Sequence, residues 1–413
     1  MNFIKVPSAK SIIQKLILLN LLALAAGQIL KLPTGSNSIS IYFHDISLVV
    51  LWFFYLVTAR KNPFSTSTPL TKPIIIFIAT MLLSLVASLF IYQPSEVVVG
   101  FFYLVRFILY TGLFFITYSY LDNRFSSILQ DFVVIAALVV AVFGLLQLIF
   151  IPDFTFMAQF GWDPHYGRMV STFFDPNFSG GLLSLIFIPT MAMFLTAKSN
   201  RLAILLSLVI IYTALSQTYS RSSYLAFSFS MVIFSYILKS WKVALASLIM
   251  IVSLLALTFP RQQLETNRGI DRQVSARARL SSWQQGLTIV RDYPILGIGF
   301  NNYRLAQKHY GFLSAAEIDR HSGSGNDSGL MFVLATGGIV GFLAYAYLLF
   351  SIFKLCFMGL PNNILKLAVG CGLVGLLVHG QFVNSMFFVP IVGVIWLLLA
   401  QVAYYKESNG RLK

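Results

Sequence analysis

Charge is what this 413-residue sequence has least of: Asp, Glu, Lys and Arg together make 10% of it, and only 14 residues are acidic. A soluble domain keeps about a quarter of its residues charged, so that class is excluded. Cysteine is nearly absent too, with Cys356 and Cys371 as the two examples, and no CxxC or HExxH spacing occurs. This removes a disulfide-stapled secreted domain and the common zinc sites. The two thiols read as small apolar filler, one on the cytoplasmic side and one inside a span, with no exported disulfide expected. Low-complexity tracts and heptad arrays are missing as well.

What is abundant is hydrophobic: 57% of residues, with a mean hydropathy of +0.80. Apolar stretches of about 17 to 25 residues, the length that crosses hydrocarbon as a helix, recur along the whole chain. They lie near residues 12–30, 41–58, 73–92, 98–120, 131–151, 178–196, 202–219, 223–238, 243–259, 329–353, 364–382 and 387–405. The expected fold is an all-α integral membrane protein of about twelve transmembrane helices, a single polytopic domain over 1–413. One large extracytoplasmic loop, 260–328, is inserted between spans nine and ten. Lys5, Lys10 and Lys15 before the first apolar run also fit a secretory signal peptide. Eleven further spans need no separate export signal, so the segment is read as a retained span.

Alternating the connections across the membrane sorts the charges. One side carries twelve lysines and four arginines; the other carries Lys31 and Lys308 against ten arginines. The positive-inside tendency makes the first side cytoplasmic and places both termini there. The net charge of +15 does not build a nucleic-acid surface, because the basic residues are divided between two faces. Lysines beside anionic headgroups account for most of it.

Arginine outside needs another cause. Residues Arg261 to Asp327 hold eight arginines and one lysine. A planar guanidinium grips phosphate oxygens in pairs, which suggests a phosphate-bearing lipid substrate. Within the loop, Leu280, Trp283, Leu287 and Val290 recur at helical spacing, and Arg272 and Arg279 share a face. A helix lying on the membrane or on the bundle is expected, ending at Asp292-Tyr293-Pro294, where two glycines, Gly297 and Gly299, permit close backbone approach. A lone GxG is weak evidence for a nucleotide. Interfacial seating against anionic lipid is the plain explanation for the helix.

Candidate site residues follow from the same logic. Arg221 in Ser220-Arg221-Ser222-Ser223 sits at the outer junction of spans seven and eight, or is a snorkelling interface arginine. His321, near the loop's return to the membrane, can take a proton from a sugar hydroxyl; Asp327 is the rival base, or caps the tenth span. Arg168 could touch phosphate, and Asp175-Pro176-Asn177 reads as a turn opening the sixth span. Arg106, inside a span, costs roughly 2.5 kcal/mol or more if unpaired, so it needs a partner; packing and substrate contact both stay open.

Four stretches together resemble the bacterial O-antigen ligase and O-antigen polymerase superfamily of multispanning glycosyltransferases. They are Arg168 to Asn177; Ser220-Arg221; Arg279-Leu280-Ser281-Ser282-Trp283 leading to Asp292-x-Pro294-x-x-Gly297-x-Gly299; and Gly338-Ile339-Val340-Gly341, which reads as the ending of the tenth helix. The resemblance implies a glycan donor on undecaprenyl diphosphate, arginines on the diphosphate (Arg221 and Arg279, with Arg277 and Arg168 beside them), a loop histidine (His321) as base, and neither metal nor cofactor. The acceptor, whether glycan, lipid or protein, is not encoded, nor is the oligomeric state. Ligases of this kind place Gly-x-x-Gly nine residues after the pair that begins with the histidine; here fifteen residues separate Ser322 from Gly338, and strict spacing would put Asp327 in the histidine's place. Polymerase and ligase both stay open. The competing class is a transporter or flippase for a lipid-linked saccharide, which twelve spans would suit but a one-sided arginine loop does not.

Overall fold

In hydrocarbon a backbone must satisfy its own polar groups, so long apolar runs become helices and the polar residues between them become caps. The structure, a computed structural model, describes residues 8–32, 40–58, 67–267, 272–313, 325–358 and 363–410; the side chains of 259–267, 272–276 and 406–410 are outside that description. The helices are α1 (Ala9–Ala26), α2 (Phe43–Thr58), α3 (Thr71–Ala87), α4 (Pro94–Tyr120), α5 (Asn123–Phe150), α6 (Pro176–Thr196), α7 (Arg201–Gln217), α8 (Arg221–Leu238), α9 (Trp241–Asn267), α10 (Arg272–Asp292), α11 (Tyr303–His309), α12 (Gly329–Phe357), α13 (Ile364–His379) and α14 (Val389–Gly410). Among the described residues eight are long and apolar enough to cross a membrane; α2, α7, α13 and the stretch Val389–Tyr405 are shorter apolar helices. Every apolar run marked in the sequence falls on one of these. Among the described residues the helical expectation is broken by a two-residue antiparallel hairpin pairing β1 (Lys31–Leu32) with β2 (Ile41–Tyr42) and by an isolated bridge between Asp153 and Tyr166.

Short polar residues start the helices, as capping physics requires. Ser8, Asp122, Asp175, Ser220, Ser328 and Asn363 each accept a first-turn amide with the side chain, and α4 opens on a Gln93–Glu96 capping box with Pro94 behind it. Asp327, a candidate cap in the sequence, is displaced from that role by its neighbour: Ser328 Oγ takes the Met331 amide at 3.2 Å.

Two opposite sets of contacts organise the bundle. Lys10 pairs with Asp122 at 2.6 Å, Gln14 donates to the Tyr120 carbonyl, and Tyr404 reaches Asn123, which gathers the start of α1, the α4–α5 turn and the end of α14 on one face. The Lys10 ammonium, through its hydrogen bond, holds the Asp122 carboxyl below its ordinary value. On the other face Gln28 donates to Thr172, Met169 to Gln217, and Gly329 to Gly380. That face also carries α10 and α11 and is called the loop face below.

The core is centred on α13, which packs against α6 and α8 and is buried along most of its length. Small residues permit this: a Cβ on Gly375 would press into the Ala226 carbonyl, so α13 and α8 touch backbone to backbone. Cys356 and Cys371 are free and buried, as apolar filler should be.

The stretch Gly338-Ile339-Val340-Gly341 is not a helix end. α12 continues to Phe357 but breaks at Gly338, whose φ of 60° and ψ of −166° leave the helical region. The turn after α10 docks into the break: Ile298 donates to Ala335 at 3.1 Å, Gly299 to Thr336 at 3.0 Å, Ile339 to Pro294 at 2.9 Å and Val340 to Ile295 at 3.3 Å. These bonds satisfy groups that an interrupted helix would otherwise leave bare, at several kcal/mol each in hydrocarbon. Glycine is demanded by proximity as well as by φ, since a Cβ on Gly297 would lie 2.5 Å from the Ala335 carbonyl oxygen and one on Gly338 would overlap that of Ile295. The GxG is therefore a docking device for α10, not a phosphate loop.

Candidate functional site

α10 is amphipathic, but the apolar stripe is not the face turned to the protein. Leu280, Trp283 and Leu287 are 62%, 39% and 54% exposed, whereas Gly286 and Ile289 are buried, with Ser282 and Gln285 half-buried beside them. Positions 279, 282, 286 and 289 share one face by helical spacing, so Arg279 is carried on the bundle side. Gly286 makes the approach possible, because a Cβ there would run into Met331 Cγ.

Polar groups pin this face. Asn326 Nδ2 donates to the Ser282 carbonyl at 2.6 Å and to the Tyr303 hydroxyl at 2.8 Å, and the Asp327 amide donates to Ser282 Oγ at 3.1 Å. Gln307 donates to Gln285 at 3.0 Å. Burial pushes the Tyr303 phenol up to about 12, so it stays protonated as part of the clamp. The clamp fixes the backbone at Asp327 while leaving the carboxylate out of it. Among the described residues, no hydrogen bond reaches the Asp327 carboxylate or the Arg279 guanidinium.

Burial raises the Asp327 carboxyl above its ordinary value; the Arg279 charge opposes that shift and the Asp175 carboxylate adds to it. Asp175 is likewise raised by burial, against the pull of the Phe178 and Asn177 amides that it caps and of the Arg168 charge. Its Oδ1 accepts those amides at 3.1 and 2.6 Å, so the Asp-Pro-Asn turn does open α6.

The start of α8 joins the same place. Ser220 Oγ donates to Asn177 Oδ1 at 2.8 Å, tying the first turns of α6 and α8 together, and Arg221 stands exposed as the first residue of α8. Arg168 braces this turn, donating through Nε to the Thr218 carbonyl at 3.0 Å and through Nη2 to that of Tyr219 at 3.4 Å. Those two donors serve the end of α7, which was not foreseen for Arg168. Arg277 is exposed on α10. His321 lies outside the described residues.

Sequence reasoning missed one wall, the link between α13 and α14. His379 is wholly buried, with Nε2 3.2 Å from Ser223 Oγ and Nδ1 2.9 Å from Ser385 Oγ, and it lies within electrostatic range of Arg279. Gln381 accepts from Ser328 Oγ at 3.1 Å. The signal was present as a His-Gly-Gln…Asn-Ser run closing an apolar span, but only spatial folding brings it to α8 and α12. Arg106 is also resolved: Nε and Nη2 grip Asp45 in the first turn of α2, both at 2.8 Å, with Tyr110 donating to the same carboxylate at 3.0 Å. It lines a cavity with Phe107, Phe300, Phe332 and Phe387.

The loop face thus brings together the N-termini of α6, α8 and α12, with Arg221 on the second and Arg279 and Asp327 beside the third. Residues 202–346, from α7 into the second half of α12, match the family model for O-antigen ligase. That stretch is similar to the O-antigen ligase family. No curated protein matches the chain. The matched segment contains Arg221, Arg277, Arg279, Asp327 and the Gly338 break, and leaves Arg106, Arg168 and His379 outside it. Its match supports the wider resemblance seen in the sequence and, with the apolar helices, a multi-pass bacterial membrane protein of the ligase or polymerase type of glycosyltransferase.

Proposed function

We propose that the chain transfers a glycan from an undecaprenyl-diphosphate-linked saccharide to an acceptor hydroxyl at the outer face of the plasma membrane, with both termini cytoplasmic and about twelve spans. The observation that carries this reading is the meeting of three helix N-termini with Arg279. The positive ends of the helix dipoles favour an anion there, and a guanidinium adds a fork that matches phosphate oxygens.

In this reading Arg279 and Arg221, with Arg277 at the rim, hold the diphosphate, and Arg168 keeps the Arg221 turn in place. The acceptor hydroxyl attacks the anomeric carbon as the bond to the diphosphate oxygen breaks, with inversion; the electron pair leaves on the diphosphate, whose growing charge the arginines stabilise without a metal. The hydroxyl proton goes to a base, His321 or Asp327. Asp327 suits the role because its backbone is clamped while its carboxylate, raised by burial, lies within electrostatic range of Arg279. Ladder products would mark a polymerase and single additions a ligase.

Arg279→Lys tests the diphosphate role. It keeps the charge and loses the fork, so transfer should fall by about tenfold or more with normal membrane insertion and melting temperature. Unchanged turnover would remove Arg279 from the site.

A further inference from the structure

The hydrogen bonds around His379 run in one direction. Ser220 Oγ donates to Asn177 Oδ1 at 2.8 Å, and Ser223 Oγ donates to Ser220 Oγ at 2.9 Å. With its proton used in this way, Ser223 Oγ accepts from His379 Nε2, 3.2 Å away, in the tautomer that carries its proton on Nε2. His379 Nδ1 then accepts from Ser385 Oγ at 2.9 Å. This assignment is the Nε2-protonated tautomer, and the Asn177 carbonyl, 3.3 Å from Ser223 Oγ, offers that nitrogen a further acceptor.

The surroundings are built for an aromatic ring with two polar edges. A Cβ on Gly181 would lie 3.1 to 3.4 Å from three ring atoms, so α6 presents glycine where the imidazole lies flat against it. One edge meets the turn that carries Arg221, and the other meets the 3-10 turn Ser385–Phe387, whose Phe387 lines the Arg106 cavity. Ser220 is also the N-cap of α8, so the chain of bonds passes through the group that sets the direction in which α8 begins.

We propose that His379 is a positioning residue: through Nε2–H it orients Ser223 and Ser220 and thereby fixes the Arg221 turn against the first turn of α6. It touches no substrate itself. This rests on the diphosphate reading above for its functional consequence, but not for its structural part.

Side-chain length separates the two edges in a test. The substitution His379→Gln places an amide near the Nε2 position, His379→Asn supplies one near Nδ1, and His379→Phe fills space with neither. The full chain in lipid nanodiscs is measured for binding of undecaprenyl diphosphate and for hydrogen exchange of the amides of residues 220–224. In His379→Phe, exchange should quicken and binding weaken, each by about tenfold, the worth of one buried hydrogen bond. His379→Gln should restore both to within about threefold, and His379→Asn should not. Unchanged exchange in His379→Phe, equal defects in His379→Gln and His379→Phe, or rescue by His379→Asn would each overturn the proposal. If the unaltered chain fails to bind undecaprenyl diphosphate, the donor reading falls instead, and the exchange measurement still decides whether His379 fixes the turn.

Discussion

Arg106 and Arg279 each act on a carboxylate from another element, and they do so in different ways. Arg106 meets Asp45 side-on through two bonds of 2.8 Å; Tyr110 adds a third at 3.0 Å, and His44 Nδ1 closes the network on Tyr110 at 2.7 Å. Arg279 acts on Asp327 through space, while the hydrogen bonds nearby go to backbone, to Ser282 and to Asn326. In the first region the charges are consumed by each other. In the second, the scaffold is consumed and the charges keep their donors and acceptors among the described residues. Satisfied charge holds a bundle together; charge that is positioned but not neutralised by contact is what a reaction uses.

The comparison is broken most sharply by removing Asp327, one of the two proposed bases. Asp327→Asn keeps the clamp to Ser282, which uses the backbone amide, and removes the proton acceptor; transfer should fall by about 10² to 10⁴, the usual contribution of general base catalysis, with an unchanged melting temperature. In the unaltered protein the raised Asp327 carboxyl binds its proton more readily than an ordinary aspartate. Transfer should therefore decline on acidification from above that ordinary range, as the carboxylate is lost, and recover as pH rises. His321→Ala is the companion measurement. If it instead abolishes transfer and Asp327→Asn does not, with an acid limb near the ordinary histidine value of about 6.5, the base is His321.

The reverse result is expected from the other region. Asp45→Ala leaves Arg106 half-buried and uncompensated, which should cost about 3 to 5 kcal/mol of stability, while transfer per folded molecule stays within a few-fold. Asp45→Asn, which retains an acceptor, should cost less. A large loss of turnover with no fall in melting temperature would show that Arg106 serves substrate in its cavity and that the two regions are not different in kind.

How far each region was legible follows from which physics fixed it. Hydropathy marked the apolar helices, and the Asp-Pro-Asn turn marked the start of α6, because both depend on neighbours in sequence. Gly297 and Gly299 announced close approach but not to what, and Gly338 read as a helix ending, since the turn and the broken helix lie some forty residues apart and bond only when folded. The pairing of Arg106 with Asp45 and the arrival of His379 beside Ser223 are likewise long-range. Sequence spacing correctly found the apolar stripe of α10 and left its direction open between membrane and bundle. The small residue Gly286, rather than the large apolar ones, decides that: helices touch where side chains are short.

The α10 stripe offers the mildest test and addresses why the second region can stay open. Leu280, Trp283 and Leu287, with Ile295 beyond them at 65% exposure, form an apolar face on the side of α10 away from Ser282 and Gly286. Exposed Arg277 and Arg291 flank it, a pattern suited to the headgroup level of an anionic bilayer. If α10 is held from outside by lipid and from inside by the Asn326 clamp, Arg279 is fixed without a contact of its own. Trp283, left as the single tryptophan, should then be quenched by lipids brominated near the headgroup more than by those brominated near the chain end. Leu287→Asp should reduce that quenching and slow transfer only by about two- to fivefold, because roughly 1 kcal/mol of seating is lost while the inner clamp remains. Absence of quenching would mean that the inner clamp alone holds the helix. Gly286→Ala would then become the decisive variant, because a methyl group wedged against Met331 should dislodge Arg279 with no lipid to press it back.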